Sequence, residues 1–126
     1  MKRGAFGVVL LAALLVLGIF IMVYAGQKLD PIVSSLDLAS QEALRGNFKE
    51  TAALAGWARA AWEDCQFPFS CLAQQEEIHE IDHLYKQLEV FEAAGNRIFC
   101  SSTCARLRDL TQELKEDQTL NLHHLL

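Results

Sequence analysis

The sequence predicts an all-α protein: one N-terminal transmembrane helix followed by a small antiparallel up-and-down bundle of about four helices. Three observations lead there. Residues 4–25 contain no charged side chain. Ala, Leu, Glu and Gln fill 45 of the 101 positions from 26 to 126, whereas the β-branched Val, Ile and Thr fill 10, a balance that favours helix over strand. Downstream of residue 25 the apolar residues recur three and four apart, the spacing of an amphipathic helix. The chain therefore divides into a membrane anchor, 1–25, and a bundle domain, 26–126, which leaves no room for a second catalytic domain.

The anchor comes first. Val8, Val9, Leu10, Leu11, Leu14, Leu15, Val16, Leu17, Ile19, Phe20, Ile21, Met22 and Val23 make it strongly apolar. About 20 helical residues cross a hydrocarbon core of about 30 Å, whereas a signal-peptide core is usually about 7 to 15 residues, so the length favours an uncleaved anchor. Val23-Tyr24-Ala25 also reads as a small-x-small cleavage site, and the alternative is a cleaved signal. Either way the remainder is exported. Lys2 and Arg3 flank the short side and only Lys28 stands near the other, which retains the amino terminus in the cytoplasm and places the bundle outside the plasma membrane. A core helix of a soluble fold is disfavoured, because one small domain has too little apolar surface to surround it.

In the bundle domain, Asp30-Pro31 offers an N-cap oxygen and a fixed φ, so the first bundle helix is expected to start there. Leu29, Ile32, Val33, Leu36, Ala39, Ser40, Ala43 and Leu44 share one side of it, and Gly46 ends it. Asn47 caps a second helix, in which Trp57 and Trp62 flank a seam of Ala58 and Ala61 and are expected to pack in the core. The stretch Gln66–Ser70, with Pro68, is expected to break it. A third helix, about Cys71 to Ala94, turns Ile78, Ile81, Leu84, Tyr85, Leu88 and Phe91 inward and stops at Gly95-Asn96. The fourth starts between Arg97 and Ser102, with Leu107, Leu110, Thr111 and Leu114 inward, and the tail Leu120–Leu126 is expected to fold back on the bundle. Short connections between the helices imply antiparallel neighbours.

His79-Glu80-Ile81-Asp82-His83 fits the H-E-x-x-H pattern of zinc hydrolases. In that reading His79 and His83 bind the metal, Glu80 activates water and a third ligand lies downstream. Helical geometry opposes it: with Ile81 centred on the apolar side, both imidazoles stand about 160° away, on the solvent side. No strand is available to bind a substrate alongside. A solvated polar face is the expected role, so neither a metal nor any other cofactor is implied.

Cys65, Cys71, Cys100 and Cys104 form an even set in a domain expected to be exported, which favours disulfides. Cys71 and Cys100 fall at opposite ends of antiparallel helices, roughly 30 Å apart, and a bridge tolerates only about 7 Å between Cα atoms. The expected pairs are therefore Cys65–Cys71 and Cys100–Cys104, the second requiring that the fourth helix begin only near Ser101 or Ser102. Free thiols, intermolecular bridges and a four-thiolate metal site are the alternatives.

From 26 to 126 there are 9 Lys or Arg against 16 Asp or Glu, a formal charge of −7. Nucleic acid is not an expected partner; the bilayer is, and another membrane protein after it. The motif order adds a resemblance: the basic start and single membrane helix, Gly46-Asn47-Phe48, Trp57 and Trp62, Glu76-Glu77-Ile78-His79-Glu80-Ile81-Asp82, and Leu120-Asn121-Leu122. Together these resemble the bacterial domain-of-unknown-function family 4363, small membrane-anchored helical proteins without an assigned reaction. The resemblance implies location and shape only. The chain departs from that pattern at Gln75, where a histidine is usual, and in its four cysteines. The resulting expectation is a non-enzymatic binding or accessory module of a membrane complex. The alternatives are a zinc hydrolase using His79, Glu80 and His83, and a thiol redox or metal-sensing module.

Overall fold

In the computed structural model the backbone is described for residues 2–72 and 75–125, with the side chains of 21, 22, 25, 67–74 and 118–126 outside the described set. The described residues form four helices joined by short turns: α1, Lys2–Leu44; α2, Phe48–Leu72; α3, Gln75–Ala94; and α4, Arg97–Leu125. Each helix packs antiparallel to its predecessor, and α4 closes the bundle against α1. The α1–α4, α1–α2 and α3–α4 pairs are the closely packed ones, and α2–α3 is the loosest of the neighbouring pairs. The all-α bundle read from composition and spacing is the fold observed.

The first helix differs from its expected form. It runs unbroken for 43 residues with Pro31 inside it, about 65 Å at 1.5 Å per residue, so Asp30 is not an N-cap and the membrane-length stretch is one rod with the first bundle helix. Proline at this position removes only the hydrogen bond to the Gln27 carbonyl one turn earlier, while the fully buried Leu29, Ile32 and Leu36 clamp both sides of it. The second helix likewise continues past the expected break at Gln66–Ser70 to Leu72, and the third begins at Gln75 rather than Cys71. The backbone of 120–125 prolongs α4 instead of folding back; the packing of its side chains lies outside the described residues.

Two turns are built alike. Gly46 and Gly95 have φ of +79° and +69°, the left-handed region that glycine enters without a Cβ penalty. Gly46 N–H donates to Ala43 O and Asn47 N–H to Glu42 O, each at 3.0 Å, and Gly95 and Asn96 repeat this toward Glu92 O and Phe91 O at 3.1 Å. These are Schellman closures, which satisfy carbonyls that a helix end leaves orphaned. Asn96 Oδ1 then accepts from Phe99 N–H at 3.1 Å and caps α4. That cap fixes the start of α4 at Arg97.

The core joins the expected stripes: Leu29, Ile32, Leu36, Ala39 and Ala43 from α1, Ala55, Ala58 and Trp62 from α2, Ile78, Ile81, Leu84, Tyr85 and Leu88 from α3, and Leu107 and Leu114 from α4. Phe91 is half-buried at its edge, stacked near Phe99 with centroids 5.2 Å apart. Trp57 is not a core residue. Its side chain is 53% exposed, because the buried Ala55, Ala58 and Trp62 fill the inward positions of α2 and turn it onto the rim beside α1. Register between α1 and α4 is pinned by polar contacts: Ser40 and Ser101 hydroxyls at 3.0 Å, Asp37 with Arg108 at 2.6 Å, and Asp30 with Lys115 at 2.6 Å.

Candidate functional site

Among the described residues one helical stretch is long and apolar enough to span a membrane, Lys2–Phe20 at the start of α1. Unlike the core stripe that begins at Leu29, this stretch presents its large side chains outward: Phe6 is 71% exposed and Phe20 65%, with Val8, Val9, Leu10, Leu11, Leu14, Val16, Leu17 and Ile19 also exposed. So much contiguous apolar surface is unfavourable in water.

Where the apolar stretch meets the bundle, a groove of about 270 Å³ lies between α1 and α2, lined by Tyr24, Gln27, Lys28, Pro31, Trp57, Ala61, Asp64 and Cys65. Two ladders form its walls, residues 24, 27, 28 and 31 on α1 and residues 57, 61 and 64 on α2, each at the three- and four-residue spacing that keeps side chains on one face. The register follows from the Ser35 hydroxyl, which donates to Leu54 O at 2.9 Å; three turns further along, Asp64 and Cys65 come level with Tyr24. Lys28 Nζ lies 5.9 Å from the centre of the Tyr24 ring. These two ladders are visible in the sequence spacing, but the expectation that Trp57 packs in the core conceals them.

The H-E-x-x-H residues do not converge. His79 and His83 are both exposed on the outer face of α3, as the helical geometry implies, and Glu80 is ion-paired with Arg106 of α4. Asp82 has a structural role instead. One of its carboxylate oxygens accepts the indole N–H of the buried Trp62 and the other the amide of Gln66, both at 3.0 Å, tying α3 to α2 where packing is loosest. Among the described residues no group of three His, Cys, Asp or Glu side chains is placed to hold a metal ion.

The cysteines correct another expectation. Cys65, Cys100 and Cys104 are buried free thiols, so neither the Cys65–Cys71 nor the Cys100–Cys104 bridge is formed; the side chain of Cys71 is outside the described residues. The cap at Asn96 explains the second pair: with α4 regular from Arg97, residues 100 and 104 sit on successive turns, a geometry that rarely permits a disulfide. Cys65 instead directs its thiol to Trp62 O at 3.5 Å within α2. Burial pushes all three thiols up, Cys104 to about 12, with Glu92 adding to the effect on Cys100 and Cys104. Thiols in such surroundings are poor nucleophiles. Beside them Tyr85 is buried, its hydroxyl without a hydrogen-bond partner among the described residues, and that burial raises its titration as well. A crevice of about 110 Å³ adjoins it between α2 and α3, lined by Ala52, Ala55, Gly56, Arg59, Leu88, Glu89 and Glu92.

No family model, no curated protein and no solved structure matches this chain.

Proposed function

We propose that this chain is a single-pass membrane protein, with Lys2 and Arg3 on the cytoplasmic side, whose bundle stands outside the membrane and acts by binding, as an accessory module of another membrane protein. The carrying observation is the outward apolar surface of Lys2–Phe20 on a helix continuous with the bundle. A bilayer covers such a surface and satisfies its length, and the positive-inside rule supplies the orientation. A rigid rod also holds the bundle close over the bilayer, where its sides face neighbouring membrane proteins. The binding role is supported by where the candidate catalytic groups stand: Glu80 is ion-paired, Asp82 accepts hydrogen bonds, Cys65, Cys100 and Cys104 are packed in the core, and His79 and His83 face outward without converging on them. The resemblance to small membrane-anchored helical proteins agrees with this location.

The reading is tested on the full chain in cells. Protease added outside should remove the bundle while leaving the amino terminus protected, and affinity capture from detergent-solubilised membranes should return a reproducible membrane partner. A bundle protected from external protease overturns the orientation. A chain that remains monomeric and partnerless after in-membrane crosslinking overturns the accessory role.

A further inference from the structure

We infer that the groove between α1 and α2 is a binding site for the headgroup of a phosphatidylethanolamine lipid, with Lys28 holding the phosphate and Asp64 the ammonium. The inference rests on the membrane reading above and goes beyond it by naming an occupant.

Depth is the first argument. The charge-free stretch ends at Ala25, and Lys28 lies three residues on, about 4.5 Å further along the helix axis. A bilayer is about 30 Å thick in its hydrocarbon core and about 40–45 Å with its headgroups, so each headgroup layer is about 5–7 Å deep. Lys28 therefore stands within that layer, and Asp64, level with Tyr24 across the groove, stands at its inner edge. Tyr24 and the half-exposed Trp57 border it, the aromatic residues that prefer this interface.

Charge is the second. Lys28 and Asp64 are exposed on opposite walls of the one groove. Among the described residues neither forms an ion pair or a side-chain hydrogen bond, whereas Arg59, Arg106, Arg108 and Lys115 each reach a carboxylate on another helix. The groove thus offers a cation and an anion together, the complement of a zwitterion rather than of a simple anion.

Donor and acceptor matching is the third. Pro31 has no N–H to give the Gln27 carbonyl, and both residues line the groove. A primary ammonium has three N–H donors, which the Asp64 carboxylate and the Gln27 carbonyl accept while the indole face of Trp57 attracts its charge. A choline headgroup has no N–H to offer them. A glycerol headgroup has no cation, so it engages Lys28 and leaves Asp64 repelling its phosphate. The chemistry therefore ranks ethanolamine above choline, and choline above glycerol.

The test is native mass spectrometry of the full chain, released from mild detergent and titrated with phosphatidylethanolamine, phosphatidylcholine or phosphatidylglycerol of identical acyl chains. A parallel titration uses free phosphoethanolamine, and flotation with vesicles of each lipid is run beside it. The expected result is one bound lipid, with ethanolamine favoured severalfold over choline and about tenfold over glycerol. Asp64→Asn should erase the preference for ethanolamine over choline, and Lys28→Gln should weaken all three lipids. Both residues are exposed, so unchanged circular dichroism is expected and is measured to confirm folding. Equal binding of the three lipids, glycerol as the strongest headgroup, or selectivity surviving Asp64→Asn overturns the inference, as does free phosphoethanolamine binding as tightly as the lipid. A chain that floats with vesicles but shows no headgroup preference loses this inference alone. One that floats with none loses the membrane reading too.

Discussion

Replacing Asp82 by alanine separates a structural from a catalytic role for the His79–His83 motif. In the structure its carboxylate accepts two hydrogen bonds of 3.0 Å, from Trp62 Nε1 and Gln66 Nε2, and Trp62 is only 1% exposed. Hydrogen bonds to a charged group contribute about 1.5–3 kcal/mol, and a buried donor that loses its acceptor costs about 1–3 kcal/mol. The site is partly open to solvent on the Gln66 side, so the low end applies, and Asp82→Ala should cost about 2 kcal/mol. For a domain of about 100 residues this lowers Tm by about 10 °C. Thermal unfolding of the full chain in detergent, followed at 222 nm, reads it directly. In a double-mutant cycle with Trp62→Phe the two changes should couple by about 1 kcal/mol, because each removes one end of the same bond. His79→Ala and His83→Ala, at exposed positions, should each stay within about 0.5 kcal/mol of the parent. An Asp82→Ala protein within 0.5 kcal/mol of the parent, or a His79→Ala protein destabilised as much as Asp82→Ala, would refute the reasoning.

Three further outcomes follow from the geometry. Gly46→Ala should destabilise by about 1–2 kcal/mol in denaturant titration, since φ is +79° and the new Cβ would stand 3.2 Å from Arg97 Cδ; Gly95→Ala, with open space around it, should cost less, and the reverse order contradicts this. The Glu77 carboxyl is pushed up by burial first, then by the Asp117 carboxylate and a hydrogen bond with it, and by Glu113. The folded state therefore holds that proton at pH values where the unfolded chain has released it, so this site favours folding most in acid and loses its contribution as pH rises through the ordinary glutamate range toward the raised value. Glu77→Gln should flatten that slope and raise stability at pH 7 by about 0.5 kcal/mol, the scale of one like-charge contact near the surface; an unchanged slope in Tm against pH counts against it. Cys65, Cys100 and Cys104 should resist iodoacetamide in the folded protein and all react in denaturant without reductant; intact mass that shows bridged, unreactive pairs would contradict the free thiols.

The apolar stripes were legible because each is local: Leu29, Ile32, Leu36, Ala39 and Ala43 repeat on one helix face whatever packs against them, and all are fully buried. The Gly46 and Gly95 turns were legible for the same reason, since a left-handed residue is a property of its own backbone. The readings that failed depend on partners distant in sequence. Asp30-Pro31 carries a true start signal, yet residues N-terminal to it are already helical, so the signal is overridden and only one hydrogen bond is lost. Trp57 satisfies the pattern of a core residue, but the core positions of α2 are taken by Trp62 and two alanines. A Cys100–Cys104 bridge requires a late start for α4, and one side-chain bond to Asn96 sets that start at Arg97. Asp82 looked like part of a histidine motif because its acceptors' partners, Trp62 and Gln66, stand on another helix.

The account's central claim is that the first half of α1 lies in a bilayer and delivers the bundle to its surface. Single spin labels at Leu14, Val23 and Lys28 of the full chain in vesicles, with accessibility measured to oxygen and to a water-soluble nickel complex, test it most directly. The expected profile is deepest at Leu14, shallower at Val23 and in the headgroup layer at Lys28. A Leu14 label shielded from both reagents, as inside a protein core, or equally open to the nickel complex at all three sites, would contradict it.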